Sequence, residues 1–185
     1  GCKALKQVTL PDQLVTMPKH TFYDCTSLET VTFGTGLKEI KGWAFEGCSS
    51  LQAADFPASL DSIGEAAFNG CTSLAQVHLN EGLETIGAGA FYGVAFGKKN
   101  LTGDIVDGTG MLTIPGSVTM IGGAAFQNSA CLEVVEFENG VAELVMNSNY
   151  SNRSDQGAFR GCKALKQVTL PDQLVTMPKH TFYDC

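Results

Sequence analysis

Apolar residues return along this chain at a spacing set by a long period. Phenylalanine stands at positions 22, 45, 68, 91, 126, 159 and 182, at intervals of 23, 23, 23, 35, 33 and 23 residues. Six positions after these phenylalanines come Leu28, Leu51, Leu74, Leu132 and Leu165. Nine and eleven positions on come Val31 and Phe33, Ala54 and Phe56, Val77 and Leu79, Val135 and Phe137, Val168 and Leu170. A second apolar pair follows, as in Leu37 and Ile40, Leu60 and Ile63, or Leu83 and Ile86. The period-two stretch at Val8-Thr9-Leu10 and Val168-Thr169-Leu170 predicts a short strand. Pro11, Pro57, Pro115 and Pro171 end it, because proline cannot donate to a ladder. The Ile-Gly pairs at 63–64, 86–87 and 121–122 predict a second short extended piece ending in a tight bend. The small residue, Phe and Gly-Cys around each corner predict a helical or 3₁₀ turn.

One such segment cannot bury its own apolar face, but stacked segments turn each column into a continuous interior ridge. The pattern therefore predicts a solenoid, with inserts in two coils near 97–108 and 145–156. A second repeat lies above the first. Residues 1–25 recur unchanged as 161–185, whereas the neighbouring segments 22–44 and 45–67 share eight of 23 positions. An unchanged copy beside drifted coils predicts a unit of 160 residues in a longer array, of which residues 1–185 are a window.

The pattern Leu-x-x-Val-x-Leu-Pro-x-x-Leu-x-x-Ile-Gly-x-x-Ala-Phe-x-Gly-Cys resembles the BspA-type leucine-rich repeat family. Residues 44–71 (AFEGCSSLQAADFPASLDSIGEAAFNGC) carry nearly every position of it. The resemblance spans the chain apart from the inserts. It implies a curved, right-handed, β-rich leucine-rich-repeat solenoid of about seven 23-residue coils, and the secreted or surface setting common in that family. The pattern lapses at Val94 and Ser129, which stand in the cysteine column beside the inserts, and Cys131 falls two places late. A distorted course is expected there.

Composition narrows the function classes. The 185 residues are 44% apolar and 17% charged, with no apolar run near the ~18 residues of a membrane helix. The net charge is −7 and the longest basic run is Lys98-Lys99, so the footprint of a nucleic-acid binder is missing. Seven cysteines are an odd number for a fully paired disulfide framework. Six form a column (Cys2, Cys25, Cys48, Cys71, Cys162, Cys185) at spacings far from the two-to-four residues of metal sites. They read as buried thiols acting as small hydrophobes, with disulfide or metal pairing the lesser alternatives. Off-column Cys131 reads as the one most open to reagents.

No nucleophile elbow, zinc-protease or phosphate-loop motif occurs, and carboxylates read as solitary, so neither enzyme activity nor a cofactor is expected. The outward strand column Thr9, Thr32, Asp55, His78, Thr113, Glu136, Thr169 is too charged for a regular threonine array. Trp43 sits two places before Phe45, where His20 sits one coil earlier, with Tyr23 close by. One strand spacing apart (about 4.7–4.9 Å) these rings should meet, either as a partner-contact anchor or as packing over the coil edge. The inserts hold three glycosylation sequons, at Asn100, Asn149 and Asn152. These features together predict an extracellular or cell-surface structural scaffold, its units joined head to tail into a rod or fibre. The alternative is a discrete receptor or adhesin for a protein or matrix partner.

Overall fold

The computed structural model describes residues 1–99, 105–106, 110–140 and 157–185. Successive coils stack as the apolar columns require, and two strand positions recur in them. The first gives β1 (Gln7–Thr9), β3 (Thr30–Thr32), β5 (Ala53–Asp55), β7 (Gln76–His78), β11 (Met111–Ile114), β13 (Val134–Phe137) and β14 (Gln167–Thr169). The second gives β2 (Thr16–Met17), β4 (Glu39–Ile40), β6 (Ser62–Ile63), β8 (Thr85–Ile86) and β12 (Met120–Ile121). The second series forms one parallel sheet in the order β12-β8-β6-β4-β2, with Ile40, Ile63, Ile86 and Ile121 in register. The first series pairs as β1-β3, β5-β7 and β11-β13-β14, also parallel. Alternation decides the faces: in β5 only Ala54 points inward, and Phe56 follows it into the core.

The seven corner phenylalanines form a single stack. Consecutive ring centroids lie 5.2, 5.1, 5.3, 5.5, 5.0 and 5.4 Å apart from Phe22 to Phe182. The spacing follows from coil stacking near the strand separation, with the rings offset to avoid a face-on sandwich. Phe33, Phe56 and Phe137 meet this stack edge-on. Phe96, which no sequence column contains, fills the same role between Phe91 and Phe126.

The fold differs from the sequence expectation at several points. The corner contains no helix or 3₁₀ segment among the described residues. Alternate amides donate to the next coil: Trp43 N–H to Glu65 O at 2.9 Å, Phe45 N–H to Ala67 O at 2.8 Å, and Gly47 N–H to Asn69 O at 2.8 Å. The amides left over close single turns, such as Cys48 N–H to Phe45 O. Residues two before and two after Phe45, Trp43 and Gly47, have φ of 59° and 75°, which interrupts a right-handed run. The later column holds Asp24, Gly47, Gly70, Gly93, Asn128, Gly161 and Asp184, the residue types that tolerate this region best.

The second-series sheet has five strands, two fewer than the seven corners: the segment before Phe159 lies in 141–156, outside the described residues, and the one before Phe182 is reduced to a single bridge residue, Thr176. The first insert contains an antiparallel pair, β9 (Lys98–Lys99) with β10 (Ile105–Val106), where only a loop was expected. The corners beside the inserts are not distorted: the Phe91 ring lies within 3° of parallel to both Phe68 and Phe126. The first strand series is less regular than the corners: its ladder is interrupted between β3 and β5, and again beside the first insert between β7 and β11.

Candidate interaction surfaces

The left-handed backbone at His20 and Trp43 turns both side chains onto the corner's outer edge. Their rings stack at 5.2 Å and 10°, and Tyr23 meets His20 edge-on at 5.5 Å. The Lys19 ammonium lies 5.1 Å from the Trp43 ring centre. Glu65 nearby is raised above its ordinary carboxylate value by burial, with the Lys19 charge acting in the opposite direction. The three residues singled out in the sequence are thus together. Trp43 is half-buried and already engaged by His20 and Lys19, while Tyr23 and His20 are exposed.

The interruption between β7 and β11 makes a second feature. No backbone hydrogen bond joins β7 to β11 among the described residues. A cleft of about 390 Å³ opens there, lined by Val77, His78, Leu79, Met111, Thr113 and Pro115, with Glu81 and Glu138. Ser117 pins the turn beside it, accepting from Gly82 N–H at 3.0 Å and donating to Leu83 O at 2.8 Å. Glu138, hydrogen-bonded to Glu81, raises the Glu81 carboxyl above its ordinary value; burial and charge repulsion act in the same direction. The sequence reading had carboxylates as solitary and missed this pair. The signal was present: both follow a first-series strand, two coils apart, and the coil between places side-chain-free Gly116 in that turn.

The cysteine column is a ladder of thiols. Cys48, Cys71 and Cys162 Sγ each donate at 3.2 Å to the carbonyl of a phenylalanine one coil back: Phe22, Phe45 and Phe126. None of the seven cysteines is in a disulfide; Cys25, Cys48, Cys71 and Cys162 are buried, but the outermost members, Cys2 and Cys185, are exposed. Val94 and Ser129 keep the column buried. Cys131 is buried too, contrary to the expectation from its late position; its N–H bonds to Ala95 O, which holds it against the preceding coil.

Burial pushes the Cys48 and Cys162 thiols up to about 12 and the Cys71 thiol well above its ordinary value. The sign of the linkage is that of a raised pKa. The stabilisation is complete below the unfolded thiol value of 9.0 and is lost as pH climbs through the folded value of about 12. The urea midpoint is therefore expected to fall between those limits, and a thiol reagent at pH 8 should modify Cys48, Cys71 and Cys162 only after unfolding. A flat alkaline profile, or labelling of native Cys71, would show the column to be open.

The sequons at Asn100, Asn149 and Asn152, and the whole of the second insert, lie outside the described residues. Among the described residues no group of three His, Cys, Asp or Glu side chains is placed to hold a metal. Among the described residues no helix is long and apolar enough to cross a membrane.

The geometry has close counterparts among solved structures. The chain is similar to the leucine-rich repeat protein TpLRR of T. pallidum, at 28% identity and a TM-score of 0.72, over 91% of this chain and 71% of that one. It also shares its fold with a leucine-rich repeat protein of Bacteroides ovatus, at 24% identity and a TM-score of 0.64. That match covers 91% of this chain and 46% of the other, so this chain spans about half of that relative. No curated protein matches by sequence. The profile described as "BspA type Leucine rich repeat region" matches in six copies, across residues 1–106 and 151–185. With that match covering most of the chain, and with the stacked phenylalanines and parallel ladders that its consensus residues build, this protein belongs to the BspA-type leucine-rich repeat family.

Proposed function

We propose that this chain is a stretch of a non-enzymatic, extracellular structural scaffold in which 160-residue units follow one another head to tail along a rod or fibre. The observation that carries this reading is the position of the two identical segments. Residues 1–25 and 161–185 occupy equivalent coils of one solenoid, with Phe22 and Phe182 in the same ring stack. A unit that finishes where it began can be continued by translation along the axis. Six coils separate the two phenylalanines, so each unit advances about 28–30 Å at the strand spacing. Electron microscopy of the native material should show filaments with that axial repeat. Compact isolated particles would overturn the fibre.

A discrete surface receptor or adhesin is the second reading, and the cleft between β7 and β11 favours it. Its apolar walls and paired carboxylates, Glu81 and Glu138, suit an extended partner segment bearing a basic side chain. The exposed His20 and Tyr23 offer that reading a second contact edge, with Trp43 as their packed support.

A further inference from the structure

Two Asn-Gly steps occur among the described residues, at 69–70 and 139–140. In such a step the backbone nitrogen of the glycine carries no Cβ beside it, so its approach to the side-chain amide carbon of the preceding asparagine is the least hindered of any pair. The fold treats the two steps differently. Asn69 is half-buried, and its Nδ2 donates to Glu46 Oε1 at 2.8 Å. Gly70 N–H donates to Tyr92 O at 3.0 Å. Both reacting groups are therefore held, each by a neighbouring coil. Asn139 and Gly140 are exposed, although coils stand on both sides of theirs through β11 and β14. Neither the Asn139 side chain nor Gly140 N–H has a hydrogen-bond partner among the described residues.

The turn after β13 cannot exchange its glycine for another residue. Gly140 has a φ of 125°, and a Cβ there would stand 2.5 Å from Gly116 O. Asn139 O in turn lies against Gly116, where no side chain fits. Backbone packing between two coils thus requires glycine at 140, while the asparagine before it stays open to water. The place is also acidic. Glu138 precedes it, and Asp172 follows Phe159 at the distance at which Asn139 follows Phe126, so the two share one position in successive coils.

We propose that Asn139 is a site of spontaneous modification, converting to isoaspartate and aspartate through a succinimide formed with Gly140, while Asn69 is protected. Hydroxide takes the proton of the Gly140 amide, and the nitrogen attacks Asn139 Cγ. The Cγ–N bond forms and the Cγ–Nδ2 bond breaks; the leaving nitrogen takes a proton from water and departs as ammonia, which returns the hydroxide. Water then opens the ring. Attack at Cγ leaves aspartate, and attack at the backbone carbonyl carbon leaves isoaspartate, with Gly140 joined through Cγ. One water is consumed and one ammonia released, with no change of oxidation state. Either product carries a new carboxylate beside Glu138 and one coil from Asp172, where like charges repel. Isoaspartate also adds a carbon to the backbone of a turn packed against Gly116. The modified turn therefore holds less firmly to the coils on either side.

The test is incubation of the chain of residues 1–185 at pH 8, folded and in urea, followed by site-resolved mass spectrometry and an isoaspartyl methyltransferase assay. In urea the two steps should convert at similar rates. In the folded chain Asn139 should keep most of that rate, and Asn69 should fall below it by roughly tenfold or more, as hydrogen bonds that must open first require. Both should slow at pH 6, because the nucleophile is the deprotonated amide. Glu46→Ala should speed conversion of folded Asn69 several-fold and leave Asn139 unchanged. Asn139→Gln should remove the isoaspartate signal from that turn. Equal protection of the two sites, or faster conversion at Asn69, overturns the assignment, and an unchanged Asn69 in Glu46→Ala overturns the part given to the side-chain bond. The consequence is read on Asn139→Asp. Its urea midpoint should lie below the parent's in dilute buffer, and the gap should close in molar salt. A midpoint equal to the parent's in dilute buffer would sink the effect on the turn.

Discussion

Phe68→Ala is expected to lower the stability of the solenoid by about 3–5 kcal/mol. The side chain is fully buried and its ring is packed on three sides. Phe45 lies 5.1 Å away and nearly parallel, Phe91 5.3 Å away on the other face, and Phe56 meets it edge-on at 5.5 Å. The neighbours cannot close the gap, because the corner amides hold each coil at its distance. Phe45 N–H is bonded to Ala67 O and Phe68 N–H to Ala90 O. Phe182→Ala should cost well under half as much, since that ring is half-buried and stacks only on Phe159 among the described residues. Urea midpoints at unchanged slope are the measurement. A Phe68→Ala protein that unfolds at the parent's midpoint would show that the ring stack is out of register.

Gly87→Ala should cost on the order of 3 kcal/mol, although it adds a single methyl group. The reason is a close approach of backbones. A Cβ at Gly87 would stand 2.5 Å from Glu65 N and 2.5 Å from Gly64 C, atoms of the preceding coil. Gly87 N–H is bonded to Ile63 O at 2.7 Å, so the coils cannot part without breaking that bond. Gly93→Ala is the control. Its φ is +70° with open space around the new methyl group, so only the left-handed backbone is penalised, at ~1 kcal/mol. Parallel thermal or urea melts should rank Gly87→Ala as the more damaging of the two. Equal losses would mean that the Ile-Gly corner is looser than the ladder requires.

These two glycines show how the sequence can carry a signal without its reason. The Ile-Gly column was visible as a bend, and the bend is there. That Gly87 is needed because another coil's backbone lies against it follows only from the stacking distance. The phenylalanine column was legible in full, since a residue recurring at one phase of a coil can only face one ridge. Phe96 was not, because it belongs to no phase: it enters the core where the first insert leaves, and packs edge-on to Phe91 and Phe126. Cys131 was misjudged for a related cause. Two places off its column meant exposure only if the coil kept its regular course, and the amide bond to Ala95 O draws that segment inward.

The sequence by itself determined the architecture: a period of 23 with apolar phases cannot be buried except by stacking, so the strands and the places of the corners could be read from spacing, though not the backbone course of the corners. Tertiary structure alone decided the surfaces. Whether Glu81 meets Glu138 depends on which turn lies between them, and whether His20 meets Trp43 face to face depends on left-handed backbone at both. Periodicity constrains what faces inward, because every coil shares one core. What faces outward is set coil by coil, by neighbours that no period specifies.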